Sequence, residues 1–163
     1  MTTDSTEQLL VDGLQELYYA EEQLLDALET LAEQTEDEQT SQAFSEHREE
    51  TKGQIHRLER IFEDMGVDSE PREEPVIDAL IQEHEAFSSE NDGEVLDRYN
   101  MATGQKTEHY EIAAYGNLTS MAEKLGYDEA ADLLEQTLRE EEEALEEVTE
   151  SSEQFDRQKI SSD

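Results

Sequence analysis

The stretch Thr107–Tyr115, TEHYEIAAY, sets an acidic residue where a helical core wants an apolar one. At 3.6 residues per turn, Met101, Gln105, Glu108, Ile112, Tyr115 and Thr119 share one narrow face. Glu108 stands at its middle, with His109 and Glu111 on its two flanks. A carboxylate turned into a core is strongly unfavourable unless a cation, a proton or hydrogen bonds compensate it. Whether other helices repeat the anomaly decides how the chain is read.

They do. From a cap at Ser5 or Thr6 to about Gln34, Leu10, Leu14, Leu17, Tyr18, Glu21, Leu25, Leu28 and Ala32 keep helical spacing, with Glu21 near the centre. A second helix, capped by Thr35 or Asp37 and stopped at Gly66, carries Phe44, His47, Thr51, Ile55, Leu58, Phe62 and Met65. Here His47 faces inward and Glu50 lies one turn on, at the edge of the stripe. Pro71 and Pro75 mark the main connection, followed by a short amphipathic helix at about 76–87. After SSENDGE at 88–94, the helix carrying Glu108 starts between Val95 and Tyr99 and ends at Leu125, before Gly126. Asp128 is placed to cap the last helix, whose stripe is Ala130, Leu133, Leu134, Thr137, Glu141, Ala144 and Val148. The stripe fades near Ser151, which predicts a mobile tail over 151–163.

Composition narrows the function classes. With 163 residues the chain suits a single domain over 1–163, and with no cysteine it has neither disulfides nor thiolate metal sites. The 46 acidic residues against 11 basic ones give a net charge of −35, which argues against nucleic acid or an anionic membrane as partner. An acidic surface this poor in lysine resembles that of proteins from salt-loving, halophilic organisms, in which salt screens self-repulsion. No apolar run spans a bilayer, and MTTDSTEQLL lacks the plan of a signal peptide, so the expectation is a soluble cytoplasmic protein.

The two halves of the chain match in kind. Glu21 and Glu108 lie 87 residues apart, and Glu50 and Glu141 lie 91 apart. Two helical hairpins joined by a short crossover helix describe an all-α, ferritin-like four-helix bundle. Glu21, Glu50, Glu108 and Glu141, one per long helix, would then converge in its middle. They cannot all stay ionised there unless protons or metal ions neutralise them. Oxygen donors with some imidazole suit iron or manganese. Dimetal bundles of this kind use Glu-x-x-His units, yet Gly53 and Ala144 occupy the two histidine positions. His47 is placed to replace one missing nitrogen, while His109 and Glu111 are further candidates on the flanks. Tyr18 and Tyr115 read as core residues whose hydroxyls find partners, and His56 and His84 as surface or interface residues.

The chain resembles the ferritin-like stress-protein family typified by YciF, long catalogued as a domain of unknown function. The segments that carry the resemblance are LQELYYAEEQLLDAL at 14–28, SQAFSEHREETKGQIHRLERIF at 41–62, TEHYEIAAYGNL at 107–118 and EKLGYDEAADLLEQTLREEE at 123–142. It implies a bundle with an extra short helix, a homodimer, and a dimetal centre drawn from Glu21, His47, Glu50, Glu108, Glu111 and Glu141. Two functions are expected to compete. One is a dinuclear iron or manganese centre acting in stress or peroxide handling, with Glu50 and Glu141 as bridges and metal ions as the bound partners. The other is a metal-free dimeric bundle, with no cofactor bound, acting as a scaffold or partner-binding module.

Overall fold

In the computed structural model, which describes residues 2–160, five helices account for nearly the whole chain. Ser5 caps α1 (Thr6–Gln34) by accepting the Gln8 N–H, and Asp37 caps α2 (Glu38–Met65) by accepting the Thr40 N–H. Glycines in the left-handed conformation end α2 at Gly66 (φ 67°) and α4 (Gly93–Leu125) at Gly126 (φ 86°), as their positions predict. The crossover helix α3 spans Pro75–Ser88 with proline in its first turn, and α5 spans Asp128–Lys159. Tyr127 precedes α5, so Asp128 is its first residue rather than its cap.

The four long helices close a ring in which α1 packs on α2 and α4, and α5 packs on α2 and α4. Polar ties show the directions. Tyr127 Oη donates to Glu7, joining the end of α4 to the start of α1. Asp97 near the start of α4 accepts the N–H groups of Glu36 (2.8 Å) and Asp37 (2.9 Å) at the other end of α1. Helices α2 and α4 therefore run the same way, and residues 66–92 must travel back along the bundle. Helix α3 makes that return against α1 and α4, with Ile77 packed on Ala20 and Leu24. This is the ferritin-like connection expected from the sequence.

The core is apolar at both ends and polar between. Leu10, Leu14, Leu17, Leu58, Phe62 and Leu134 fill one end, and Leu28, Leu31 and Phe44 the other. Gly104 of α4 leaves room for the Phe44 ring at the second end, since a Cβ there would meet Phe44 Cε1 at 3.1 Å. The tail expected at 151–163 is helical through Lys159: Ser152 and Phe155 are buried, Asp156 accepts from Arg98 (2.7 Å), and Lys159 pairs with Glu94 (3.0 Å). Residues 161–163 lie outside the described residues. No helix among the described residues is long and apolar enough to cross a membrane.

Candidate metal centre

Each long helix sends polar side chains into the layer between the apolar ends: Glu21 from α1, His47, Thr51 and Gln54 from α2, Glu108 and Glu111 from α4, and Thr137 and Glu141 from α5. The helices can afford this because leucines and aromatics one or two turns away bury enough surface to hold them together.

At the centre, His47 Nε2 lies 2.8 Å from Glu108 Oε1 and 3.7 Å from Glu141 Oε2. One donor atom from each of these residues falls within 4.8 Å of the other two, which is compact enough for one cation. Glu21 is fully buried, and neither of its carboxylate oxygens has a hydrogen-bond partner among the described residues. One oxygen each of Glu108, Glu111 and Glu141 is orphaned in the same way. Gln54 Nε2 donates to Glu141 Oε1, and Arg57 clasps the neighbouring Glu140 through two bonds of 2.8 and 2.7 Å.

The electrostatics follow from burial and crowding. Burial, then the Glu141 charge, pushes the Glu21 carboxyl up to about 8. The same two causes hold Glu108 and Glu111 well above the usual carboxylate range. Glu141 goes the other way: burial opposes its charge, but the adjoining Glu108 carboxyl, the His47 charge, the Glu111 carboxyl and the hydrogen bond from Gln54 pull its own carboxyl below the ordinary value. Burial alone would depress the His47 imidazolium, and the facing Glu108 carboxylate reverses this and holds it well above its usual range. Without a cation, burial and the Glu141 charge favour the neutral form of Glu21, Glu108 and Glu111, while the surroundings of Glu141 and His47 favour their charged forms.

Of the residues singled out in the sequence, Glu21, His47, Glu108, Glu111 and Glu141 lie in this layer, and Glu50 does not. The Glu50 side chain is 52 % exposed and faces His47 Nδ1 at 3.2 Å from the rim. The rotation of α2 that buries His47, Thr51, Gln54 and Leu58 turns position 50 outward. Gln54 takes the inward place. It stands 87 residues before Glu141, the same offset that separates Glu21 from Glu108; that offset is the signal that points to it, and its neutral amide gives no charge to mark it on the stripe. On α4 the buried face runs through Glu108 and Glu111 rather than towards Ile112. His109 is exposed.

Two other expectations change. Tyr115 is in the core, but its hydroxyl has no hydrogen-bond partner among the described residues; burial and the nearby Glu21 charge raise its phenol. His84, read as a surface or interface residue, is buried against Asn100, with Nε2 2.7 Å from Oδ1, because α3 lays it over α4. His56 is exposed, with a side-chain exposure of 81 %.

Residues 5–161 match the family described as a domain of unknown function, DUF892. The chain is 43 % identical over 143 residues to protein YciF of Escherichia coli strain K12, covering 86 % of each chain. Among solved structures, that of the E. coli stress protein YciF superimposes with a TM-score of 0.91 at 39 % identity, over 96 % of this chain and 99 % of the other. YcfI of Rhodopseudomonas palustris, provisionally described as a structural protein, superimposes with a TM-score of 0.88 at 38 % identity, over 90 % and 94 % of the two chains.

Proposed function

The chain belongs to the DUF892 family, and on that footing we propose that its polar layer holds a dinuclear iron or manganese centre serving the handling of peroxide or other oxidants under stress. The observation that carries this reading is the set of five buried carboxylate oxygens, two of Glu21 and one each of Glu108, Glu111 and Glu141, without partners in one layer. Buried polar atoms are nearly always paired, so orphans of one sign, gathered at one depth, fit a missing positive partner.

The donor set fits hard or borderline metals: carboxylate oxygens with one imidazole nitrogen. His47, Glu108 and Glu141 would hold one ion, and Glu21 and Glu111 supply the further oxygens for a second. Glu50 positions the imidazole: by accepting Nδ1–H, it leaves the Nε2 lone pair turned towards Glu108 and Glu141. Gln54 holds Glu141 by donating to Oε1, which leaves Oε2 free. When bound, a redox-active metal pair supplies the electron transfer that peroxide or oxygen chemistry requires. The apolar ends of the bundle close the layer off along the bundle axis, and carboxyls that hold protons in the metal-free protein release them as metal binds.

Elemental analysis of protein purified without chelators, followed by anaerobic titration with Fe(II) and Mn(II), tests the proposal. About two equivalents per chain are expected, falling below about one in Glu108→Ala. Binding well below one equivalent in the unaltered protein, unchanged by Glu108→Ala, overturns it. The same reading keeps the protein a homodimer in the cytoplasm; light scattering that returns the mass of one chain removes the dimer.

A second reading, the metal-free scaffold or partner-binding bundle, draws on the raised carboxyls of Glu21 and Glu111, which favour protons over a metal, and on the provisional structural role of YcfI. Loss of the folded state on strong chelation excludes it.

A further inference from the structure

A cleft of about 250 Å³ opens between α1, α3 and α4 and reaches the polar layer from outside. Its inner end is lined by His47, Glu108 and Glu111, the last two each carrying a buried oxygen without a partner. Leu24, Ala27 and Leu28 of α1 and Leu80 and Ile81 of α3 form apolar walls. Asp26 and Glu85, both exposed, add negative charge to the lining and disfavour anions.

Among the remaining polar groups of the wall, the Gln23 amide can both donate and accept, Thr30 spends its proton on the Asp26 carbonyl (3.3 Å), and the others are acceptors. The Leu31 carbonyl can only accept, so the Thr35 hydroxyl donates to it (2.6 Å). Thr35 Oγ1 therefore receives Asn100 Nδ2–H (3.0 Å), Asn100 Oδ1 faces His84, and His84 Nε2 donates (2.7 Å). In the neutral ring Nδ1 is then the nitrogen with a free lone pair, on a side chain that lines the cleft. Thr107 and Thr103 spend their protons on the carbonyls of Gly104 (2.9 Å) and Tyr99 (3.1 Å), which leaves only lone pairs to offer. A largely apolar channel in which free acceptors outnumber donors favours an uncharged molecule with an apolar body and an O–H group.

We propose that this cleft binds small uncharged organic hydroperoxides and delivers their O–OH end to the polar layer. The cleft and its preference for an O–H donor stand on the geometry alone; the choice of a hydroperoxide over an alcohol or a phenol rests on the proposed metal centre.

Cumyl alcohol, an unreactive relative of cumene hydroperoxide with about ten non-hydrogen atoms, is a suitable probe. Titrated into the full metal-free chain, it should bind with a Kd below about 1 mM and give intermolecular NOEs to the methyls of Leu80 and Ile81. The anion 4-isopropylbenzoate should bind at least about tenfold more weakly. Ala27→Phe, which fills the cleft, should weaken the alcohol by at least about tenfold while keeping the wild-type helical circular dichroism. NOEs to other residues, equal binding of the anion, or unchanged binding in folded Ala27→Phe each overturn the proposal; the NOEs decide it even if the variant does not fold. If the alcohol binds as expected and metal stoichiometry stays below one, the cleft stands and only the hydroperoxide assignment falls.

Discussion

Glu21 offers the sharpest test of the polar layer. It is fully buried, neither carboxylate oxygen has a hydrogen-bond partner among the described residues, and its carboxyl is pushed up to about 8 from an ordinary 4.5. In the metal-free protein a carboxyl with a raised folded pKa keeps its proton longer than the unfolded chain does. The folded state then binds one more proton across that interval, and stability falls by about 1.4 kcal/mol per pH unit as pH rises from about 4.5 to about 8. The ceiling is about 5 kcal/mol for this one group. The realised value is smaller, because Glu108, Glu111 and Glu141 respond to the same charge. Glu21→Gln keeps the shape and removes the ionisation. Urea unfolding of both metal-free proteins at high salt, from pH 5 to pH 8.5, should show similar stabilities at the acid end and a variant more stable by about 2–4 kcal/mol at the alkaline end. Salt-screened surface repulsion is common to both proteins and cancels in the difference. Parallel pH profiles would mean that Glu21 is solvated or paired in the folded state, and the reasoning about the layer would fail.

Glu50→Ala should lower Mn(II) affinity about tenfold by freeing the His47 ring while moving stability by less than about 0.5 kcal/mol, measured by calorimetry and urea unfolding respectively. His47→Ala should cost more than about tenfold in the same binding titration, because a donor itself is lost. Asp97→Ala strips two backbone N–H groups at the α1–α2 turn of their acceptors and should destabilise by about 2–4 kcal/mol, with faster amide exchange at Glu36 and Asp37. Leu14→Ala, in the apolar end, should cost about 3–4 kcal/mol in chemical unfolding without changing metal stoichiometry.

Much of this molecule was legible in short-range pattern. Caps at Ser5 and Asp37, the stops at Gly66 and Gly126, and stripes at helical spacing marked the helices. Glu21, Glu108 and Glu141 stood out because each interrupts an apolar stripe. The misreadings share a cause. Glu50, at the edge of the α2 stripe, was expected to reach the layer, and Gln54 reaches it instead, because the stripe of α2 admits more than one rotation about its axis and an amide does not advertise burial. The sparse signal of Val148, Ser152 and Phe155 continued α5, but small and isolated residues make a weak stripe. His84 reads as a surface or interface residue on an isolated helix, and the laying of α3 over α4 buries it within the chain.

The amino-acid order by itself determined that there would be four long amphipathic helices, with acidic residues in the buried faces of α1, α4 and α5 and a histidine in that of α2, since periodicity and capping act within a few turns. Which oxygens meet, and that His47 stands between Glu108 and Glu141 with Glu50 at the rim, was decided by tertiary packing. Each residue advances about 100° around its helix, so a small rotation imposed by neighbouring helices exchanges one candidate ligand for the next.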